Sequence, residues 1–505
     1  VTLRRLVDPA LALLAIVAVV VALVRIAALD AGVTTGRVTV DGTRATVFRP
    51  AAPSPPGPVV LVAHGFAGSQ PLMVPFATTF ARNGLTAVTF DFLGHGLDPR
   101  PLTGSITETV GATRALVDQT RRMADFARTL GDGRLALLGH SMASDIVVRA
   151  AQTDPGIGAT IAVSMFSPAV TATTPGNLLV IVGGWEPGLK AEALRVLVEA
   201  GGPAEPGVTI GDPAAGTGRR VAVSPNVEHV GVLYARAGMA EAQAWIDAAF
   251  GLAREGPAAA DARGPWVLLL LAGIVALGRP LARLLPRAAT PGPGLPWRAA
   301  WPCVVIPMVA TPLVLSVVPT RFLPVLVGDY LAVHLGAYGL VTAACLRWRG
   351  RGAGGATDVS RPRLLLATLA AGIFVAGGLF AALDAHVANL TPVAQRVPLI
   401  LAMLAGTAAY FVADERLVRG EGAGRLLPAA SRAAFLVSLA GAVAIDFPRL
   451  FFLVIIVPVM VPFFLVFGLF CAWIFRRAGH PLPGALVAAA AFAWAIGTTF
   501  PMVTG

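Results

Sequence analysis

Leu137-Leu138-Gly139-His140-Ser141-Met142-Ala143-Ser144 joins two different kinds of sequence. The apolar run 134–138 before it reads as a buried strand, and 143–151 after it reads as the start of a helix. Between them a serine sits in a turn too tight for bulky neighbours. That is the layout of a nucleophile elbow, a strand-to-helix turn that lifts a serine hydroxyl above a sheet edge. The helix that follows aims its first amides at any negative charge beside the serine. The pattern here is G-x-S-x-A. Alanine is the smallest residue with a Cβ, so the turn survives if position 143 avoids positive φ.

The rest of the chain divides around this stretch. It has 505 residues, 56% of them hydrophobic and 13% charged, with a mean hydropathy of +0.74. Such a composition excludes an ordinary soluble protein and calls for several membrane spans. The net charge of +11 comes from arginines in short segments between apolar runs, a membrane-topology pattern and not a nucleic-acid surface. Cys303, Cys345 and Cys471 all lie in apolar segments, which implies buried free thiols and no metal spacing.

Residues 1–30 read as a signal anchor: Arg4 and Arg5, then an apolar run over 9–26 with no convincing cleavage site. From 33 to 250 the pattern is that of an α/β domain with a mostly parallel sheet covered by helices on both faces. Strands are expected at 38–48, 59–63, 86–90, 134–138, 159–163, 178–182 and 221–223, and helices at 72–82, 107–130, 141–152, 189–199 and 234–250. Residues 251–265 read as an Ala/Gly/Pro linker. The remainder, 266–505, reads as an all-α membrane domain of about eight transmembrane helices, near 266–285, 301–319, 322–346, 364–386, 397–413, 432–446, 449–475 and 484–501. Alternating passes put seventeen arginines on the N-terminal side of the membrane and six on the other. The excess predicts a cytoplasmic N-terminus and an extracytoplasmic α/β domain.

A reactive serine needs a base, an orienting carboxylate and donors for an oxyanion, gathered at the carboxyl ends of different strands. After strand 59–63 comes His64-Gly65-Phe66-Ala67-Gly68, and the amides of Phe66 and Met142 form the expected oxyanion pair. After 86–90 comes Asp91-Phe92-Leu93-Gly94-His95-Gly96. After 178–182 comes Gly183-Gly184-Trp185-Glu186, and after 221–223 a loop carries His229. Glu228 and Asp212 are the other carboxylates open for the acid role. His64, His95 and Asp91 read better as braces of their loops than as reacting groups.

These motifs together resemble the α/β-hydrolase superfamily over roughly residues 38–250: its H-G-x-x-G loop, its D-x-x-G-H-G loop and its elbow. The resemblance implies that Ser141 is the nucleophile, His229 the general base and Glu186 the orienting acid, with no cofactor and no metal. Ala143 in place of a second glycine, and Glu in place of the commoner Asp, are departures from the pattern. Only residues 164–176 separate two strands where a cap often inserts, so the site should be open or covered by the membrane part. Phe66, Leu72, Met73, Phe92, Met165, Phe166, Trp185 and Leu233 fall near strand ends, as an acyl pocket or as ordinary core. The expectation is a membrane-bound serine hydrolase acting on an ester or lipid acyl group, with membrane lipids rather than nucleic acid as its surroundings. The competing expectation is a multispan transport or sensing protein whose α/β domain binds a ligand without turnover. Asp329, His334, Asp384, His386 and Asp446 are the ionisable residues of the spans, with an interfacial role expected for the last three.

Overall fold

The computed structural model describes residues 2–52, 54–104, 111–349 and 355–504, with side chains from Asp8 onward. The start of the expected helix at 107–110, the side chains of Arg4 and Arg5, and Arg351 lie outside the described residues.

Helix α1 (Thr2–Asp30) leads into a nine-stranded sheet of order β1-β2-β4-β3-β5-β6-β7-β9-β8. The strands are β1 (Val33–Val40), β2 (Thr43–Pro50), β3 (Val59–Ala63), β4 (Thr86–Phe90), β5 (Leu135–His140), β6 (Ile157–Val163), β7 (Leu178–Gly183), β8 (Thr209–Ile210) and β9 (Arg219–Ser224). The sheet is parallel from β4 across to β9. This is the α/β-hydrolase fold with a mostly parallel sheet.

The expected single strand 38–48 is instead an antiparallel hairpin, β1 paired with β2. Asp41 (φ 46°) and Gly42 (φ 79°) form the two-residue turn that right-twisted strands favour. Strand β8 escaped the sequence reading because two residues show no period.

Five helices pack on the sheet: α2 (Gln70–Arg82), α3 (Ala112–Arg128), α4 (Met142–Gln152), α5 (Pro187–Glu199) and α6 (Arg236–Phe250). One face buries Val60, Val62 and Ile181 with Phe76 and Phe80 of α2 and Ile246 of α6. The other buries Leu61 and Leu137 under Leu116 of α3 and Ile146 of α4. Strands that are apolar at every position, such as Val59–Ala63, are therefore buried on both sides.

Helix α4 crosses β5 so closely that a Cβ on Gly139 would stand 2.3 Å from the Ala143 carbonyl oxygen. Gly139→Ala should therefore cost about 1–3 kcal/mol through forced displacement of the helix. Chemical denaturation of the full-length protein checks this; an unchanged midpoint would contradict the close crossing.

Beyond α6 the described chain is helical: α7 (Gly264–Ala282), α8 (Trp297–Leu315), α9 (Gly328–Trp348), α10 (Arg361–Phe374) continued by a π-helical turn (Val375–Phe380) and α11 (Ala381–His386), α12 (Val397–Val418), α13 (Leu427–Ile445), α14 (Phe447–Leu450), α15 (Leu453–Ala478) and α16 (Leu482–Thr499). Among the described residues, nine helical stretches including α1 are long and apolar enough to cross a membrane.

The segment expected as a linker carries two buried charged residues. Asp261 and Arg263 are buried, and Arg263 donates to Asp261, to Asp30 at the end of α1 (2.7 Å) and to Thr78 of α2 (3.2 Å). The helix expected over 397–413 is longer in the structure. Helix α12 continues to Val418 because Asp414 and Glu415 are not released to water: Ser431 donates to Asp414 (2.6 Å), and Arg419 and Arg432 donate to Glu415 (2.8 and 2.9 Å). Asp384 accepts the amides of Leu390 and Thr391, closing the turn after α11.

Candidate active site

Strand β5 ends at His140 and helix α4 begins at Met142, leaving Ser141 as the whole turn. Its backbone sits at φ 54°, ψ −118°, outside the regions an L-residue ordinarily occupies, at a cost of about 1–3 kcal/mol. The Ser141 amide donates to the Val163 carbonyl of the neighbouring strand (2.9 Å). Both the amide (2.9 Å) and the hydroxyl (2.6 Å) of Ser144 donate to the Ser141 carbonyl. The strain is thus held in place by bonds on both sides of the turn. Ala143 is not among the residues with positive φ, so the alanine of G-x-S-x-A fits without strain.

Two further strands bring a base and an acid to this serine. His229, in the loop after β9, has Nε2 2.8 Å from the Ser141 hydroxyl oxygen and Nδ1 2.5 Å from Oε1 of Glu186. Glu186 follows β7 at the start of α5. A carboxylate can only accept, so Nδ1 of His229 carries the proton and Nε2 presents its lone pair to the serine. The other oxygen of Glu186 accepts the Gly183 amide (2.6 Å) and the Ser164 hydroxyl (2.7 Å). Burial alone would raise the Glu186 carboxyl, but the bonds from His229, Gly183 and Ser164 outweigh it and hold its pKa below the ordinary value.

The structure brings Ser141, His229 and Glu186 together and leaves the alternative carboxylates elsewhere. Glu228 accepts the amides of Val230 and Gly231 (both 2.7 Å), and Asp212 accepts the amide of Ala214 in its own loop.

The Phe66 loop passes directly against the serine, since a Cβ on Gly65 would stand 3.0 Å from the Ser141 Cβ. The amides of Phe66 and Met142 donate to no protein acceptor among the described residues. The supporting residues are buried braces. His64 donates from Nδ1 to the Gly65 carbonyl (2.8 Å) and accepts the Phe92 amide at Nε2 (3.1 Å). Asp91 accepts the amides of Gln70 and Leu97, each at 3.0 Å, tying its loop to the start of α2. His95 donates from Nδ1 to the Leu93 carbonyl (2.9 Å).

Sequence reasoning missed three groups. His140 donates from Nε2 to the His229 carbonyl (2.9 Å), Ser164 completes the shell of Glu186, and Ser144 clamps the elbow. The signal for His140 was its place beside the serine; Ser164 gave none. The expected acyl pocket is largely core: Met73, Phe92, Met165 and Leu233 are fully buried. Phe166 (66% exposed) and Trp185 (65%) are instead exposed.

Burial holds the imidazoles of His95 and His140 neutral, each with its pKa pushed down to about 3. The unfolded chain protonates both near pH 6.5, so below that value it binds more protons than the folded protein. Stability is therefore expected to fall as pH drops from about 6.5 toward 3, by about 1.4 kcal/mol per pH unit for each histidine. Thermal unfolding at pH 7.5 and 5.0 measures this, and equal midpoints would contradict it.

The sheet order, the elbow and the placement of loops at strand ends define an α/β-hydrolase fold with a serine, a histidine and a glutamate in hydrogen-bonded series. Residues 58–193 match the family model described as alpha/beta hydrolase fold. Solved structures similar to this chain include TT1662 from Thermus thermophilus (21% identity, 43% of this chain and 99% of that one, TM-score 0.32). They also include a dienelactone hydrolase from Anabaena variabilis (17%, 43% and 97%, TM-score 0.33). A third is a bacterial membrane phospholipase A (17%, 48% and 98%, TM-score 0.31). No curated protein matches the sequence.

Proposed function

We propose that this protein is a membrane-bound serine hydrolase that cleaves or transfers the acyl group of an ester or lipid at the extracytoplasmic face. The observation that carries this reading is the continuous chain Ser141–His229–Glu186, with the serine held on a strained elbow. In the proposed reaction Ser141 Oγ attacks the acyl carbonyl carbon while its proton passes to His229 Nε2. Negative charge moves to the carbonyl oxygen, where the amides of Phe66 and Met142 receive it. The C–O bond to the leaving group breaks, and His229 returns the proton to the departing alkoxide. A water or an acceptor alcohol then repeats the sequence on the acyl-serine and restores the serine.

Two exposed aromatic side chains close in sequence to Glu186 and its partner Ser164, Trp185 and Phe166, favour an acyl chain over a charged substrate. The arginine excess at one end of the spans supports the orientation with the hydrolase domain outside.

The test is labelling of isolated membranes with a fluorescent fluorophosphonate. Wild type is expected to label, and the Ser141→Ala and His229→Ala variants are not. Correctly inserted wild type that stays unlabelled would rule out an activated serine and leave ligand binding without turnover.

A further inference from the structure

The loop that carries the Phe66 amide is braced within the α/β domain and is also gripped by the C-terminal helices. The Phe66 ring stacks on Phe452 at the start of α15 (4.8 Å between centroids) and meets Phe500 after α16 edge-on (6.1 Å). Its aromatic neighbour within the α/β domain is His95, also edge-on at 6.1 Å. On the far side of the same loop, Ser69 Oγ accepts the Asn389 amide (2.8 Å), and the Asn389 side chain donates to Asp91 (3.2 Å).

The neighbouring loop is held in the same way. Arg396 is fully buried and spends its guanidinium on three carbonyls: Gly497 (2.9 Å), Phe500 (2.7 Å) and, across the domain boundary, Gly94 (2.7 Å). The tail after α16 continues the tie. The Met502 amide donates to the Gly94 carbonyl (2.9 Å) and the Leu102 amide to the Met502 carbonyl (2.8 Å). The same tail rests on the segment before α9, through Leu326 to Pro501 (3.1 Å) and Val503 to Pro324 (3.0 Å).

An oxyanion donor acts only when preorganised at hydrogen-bond distance from the developing charge. A displacement of about 1 Å can cost on the order of a hundredfold in rate. The Phe66 amide is on a short loop whose ring is gripped mainly from outside its own domain. We infer that Phe452, together with Phe500 and Arg396, is a positioning element for the Phe66 amide. Ser141 then reaches full reactivity only with the hydrolase domain seated on the membrane helices. This gives the spans a part in turnover beyond anchoring, and it rests on the serine-hydrolase reading above.

The test uses the full-length protein in lipid nanodiscs with p-nitrophenyl butyrate as substrate and a fluorophosphonate as serine probe. Phe452→Ala is expected to lower kcat about 10- to 100-fold, with a parallel fall in the labelling rate of Ser141. KM should stay within about twofold and the shape of the pH profile should not change. Phe452→Tyr, which keeps a ring against Phe66, should recover kcat to within about threefold. Asn389→Ala, which removes the side-chain bond to Asp91 and leaves the backbone bond to Ser69 in place, should lower kcat in the same direction. It carries the test alone if Phe452→Ala does not fold.

Wild-type kcat in Phe452→Ala and Asn389→Ala would overturn the inference. So would a loss confined to KM with an unchanged labelling rate, which would make Phe452 a substrate contact. Wild type that neither labels nor turns over would instead overturn the serine-hydrolase reading, and the two failures are therefore distinct.

Discussion

Ser141→Ala should reduce turnover of an acyl ester by about 10⁵- to 10⁶-fold while leaving the protein folded and inserted. The hydroxyl is the only atom lost, and the contacts that hold the elbow are made by its backbone: the amide donates to Val163 and the carbonyl accepts from Ser144. Alanine keeps all of them. The positive φ at position 141 strains serine and alanine alike, so the fold should not distinguish them. What disappears is the nucleophile, and with it the covalent route. Residual activity would come from substrate binding and the oxyanion donors, which alone retain a modest advantage over water. Steady-state kinetics beside a thermal unfolding curve separate the two effects. A variant that keeps a tenth of wild-type kcat would show that Ser141 is not the attacking group.

Glu186→Gln is expected to cost on the order of 10⁴-fold in kcat, and the reason lies in the donors around the carboxylate. Oε2 already receives the Gly183 amide and the Ser164 hydroxyl, while Oε1 faces Nδ1 of His229. A glutamine must place its single carbonyl oxygen on one of these sides. Facing it toward two donors satisfies both and turns the NH2 group toward His229. That NH2 needs an acceptor, so Nδ1 gives up its proton and Nε2 carries it. A protonated Nε2 cannot accept the proton of Ser141. The variant should therefore bind substrate normally and fail at the first proton transfer, so the loss belongs in kcat. Retention of more than about a tenth of kcat would show that His229 finds its tautomer without the carboxylate.

The parts of this protein legible in its sequence are those governed by short-range rules. Apolar runs of three to five residues between helical stretches marked the buried parallel strands, and runs near twenty residues marked the helices long and apolar enough to cross a membrane. In each case the pattern repeats what the local surroundings require. The candidate site residues were found for a related reason: Ser141, Glu186 and His229 lie one, three and five residues past the ends of β5, β7 and β9, so finding the strand ends finds the loops that carry them. The hairpin at Asp41-Gly42 was within reach of the same rules, and the long apolar pattern across it hid the turn.

Other features depend on residues far apart in the chain, and no local pattern encodes them. Ser164 reaches Glu186 only because β6 and β7 lie side by side in the sheet. His140 holds the His229 carbonyl across 89 positions. Arg263, expected in a linker, is buried because Asp30 and Asp261 compensate its charge there. The grip on the Phe66 loop joins residues more than 300 positions apart, from Ser69 to Asn389 and from Phe66 to Phe452. Composition and periodicity thus determined which segments are strands and which are long apolar helices, because burial and hydrogen bonding within a segment decide that. Which segments meet was decided only by the packed tertiary structure, because a buried charge or loop is stable only beside partners that distant parts of the chain supply.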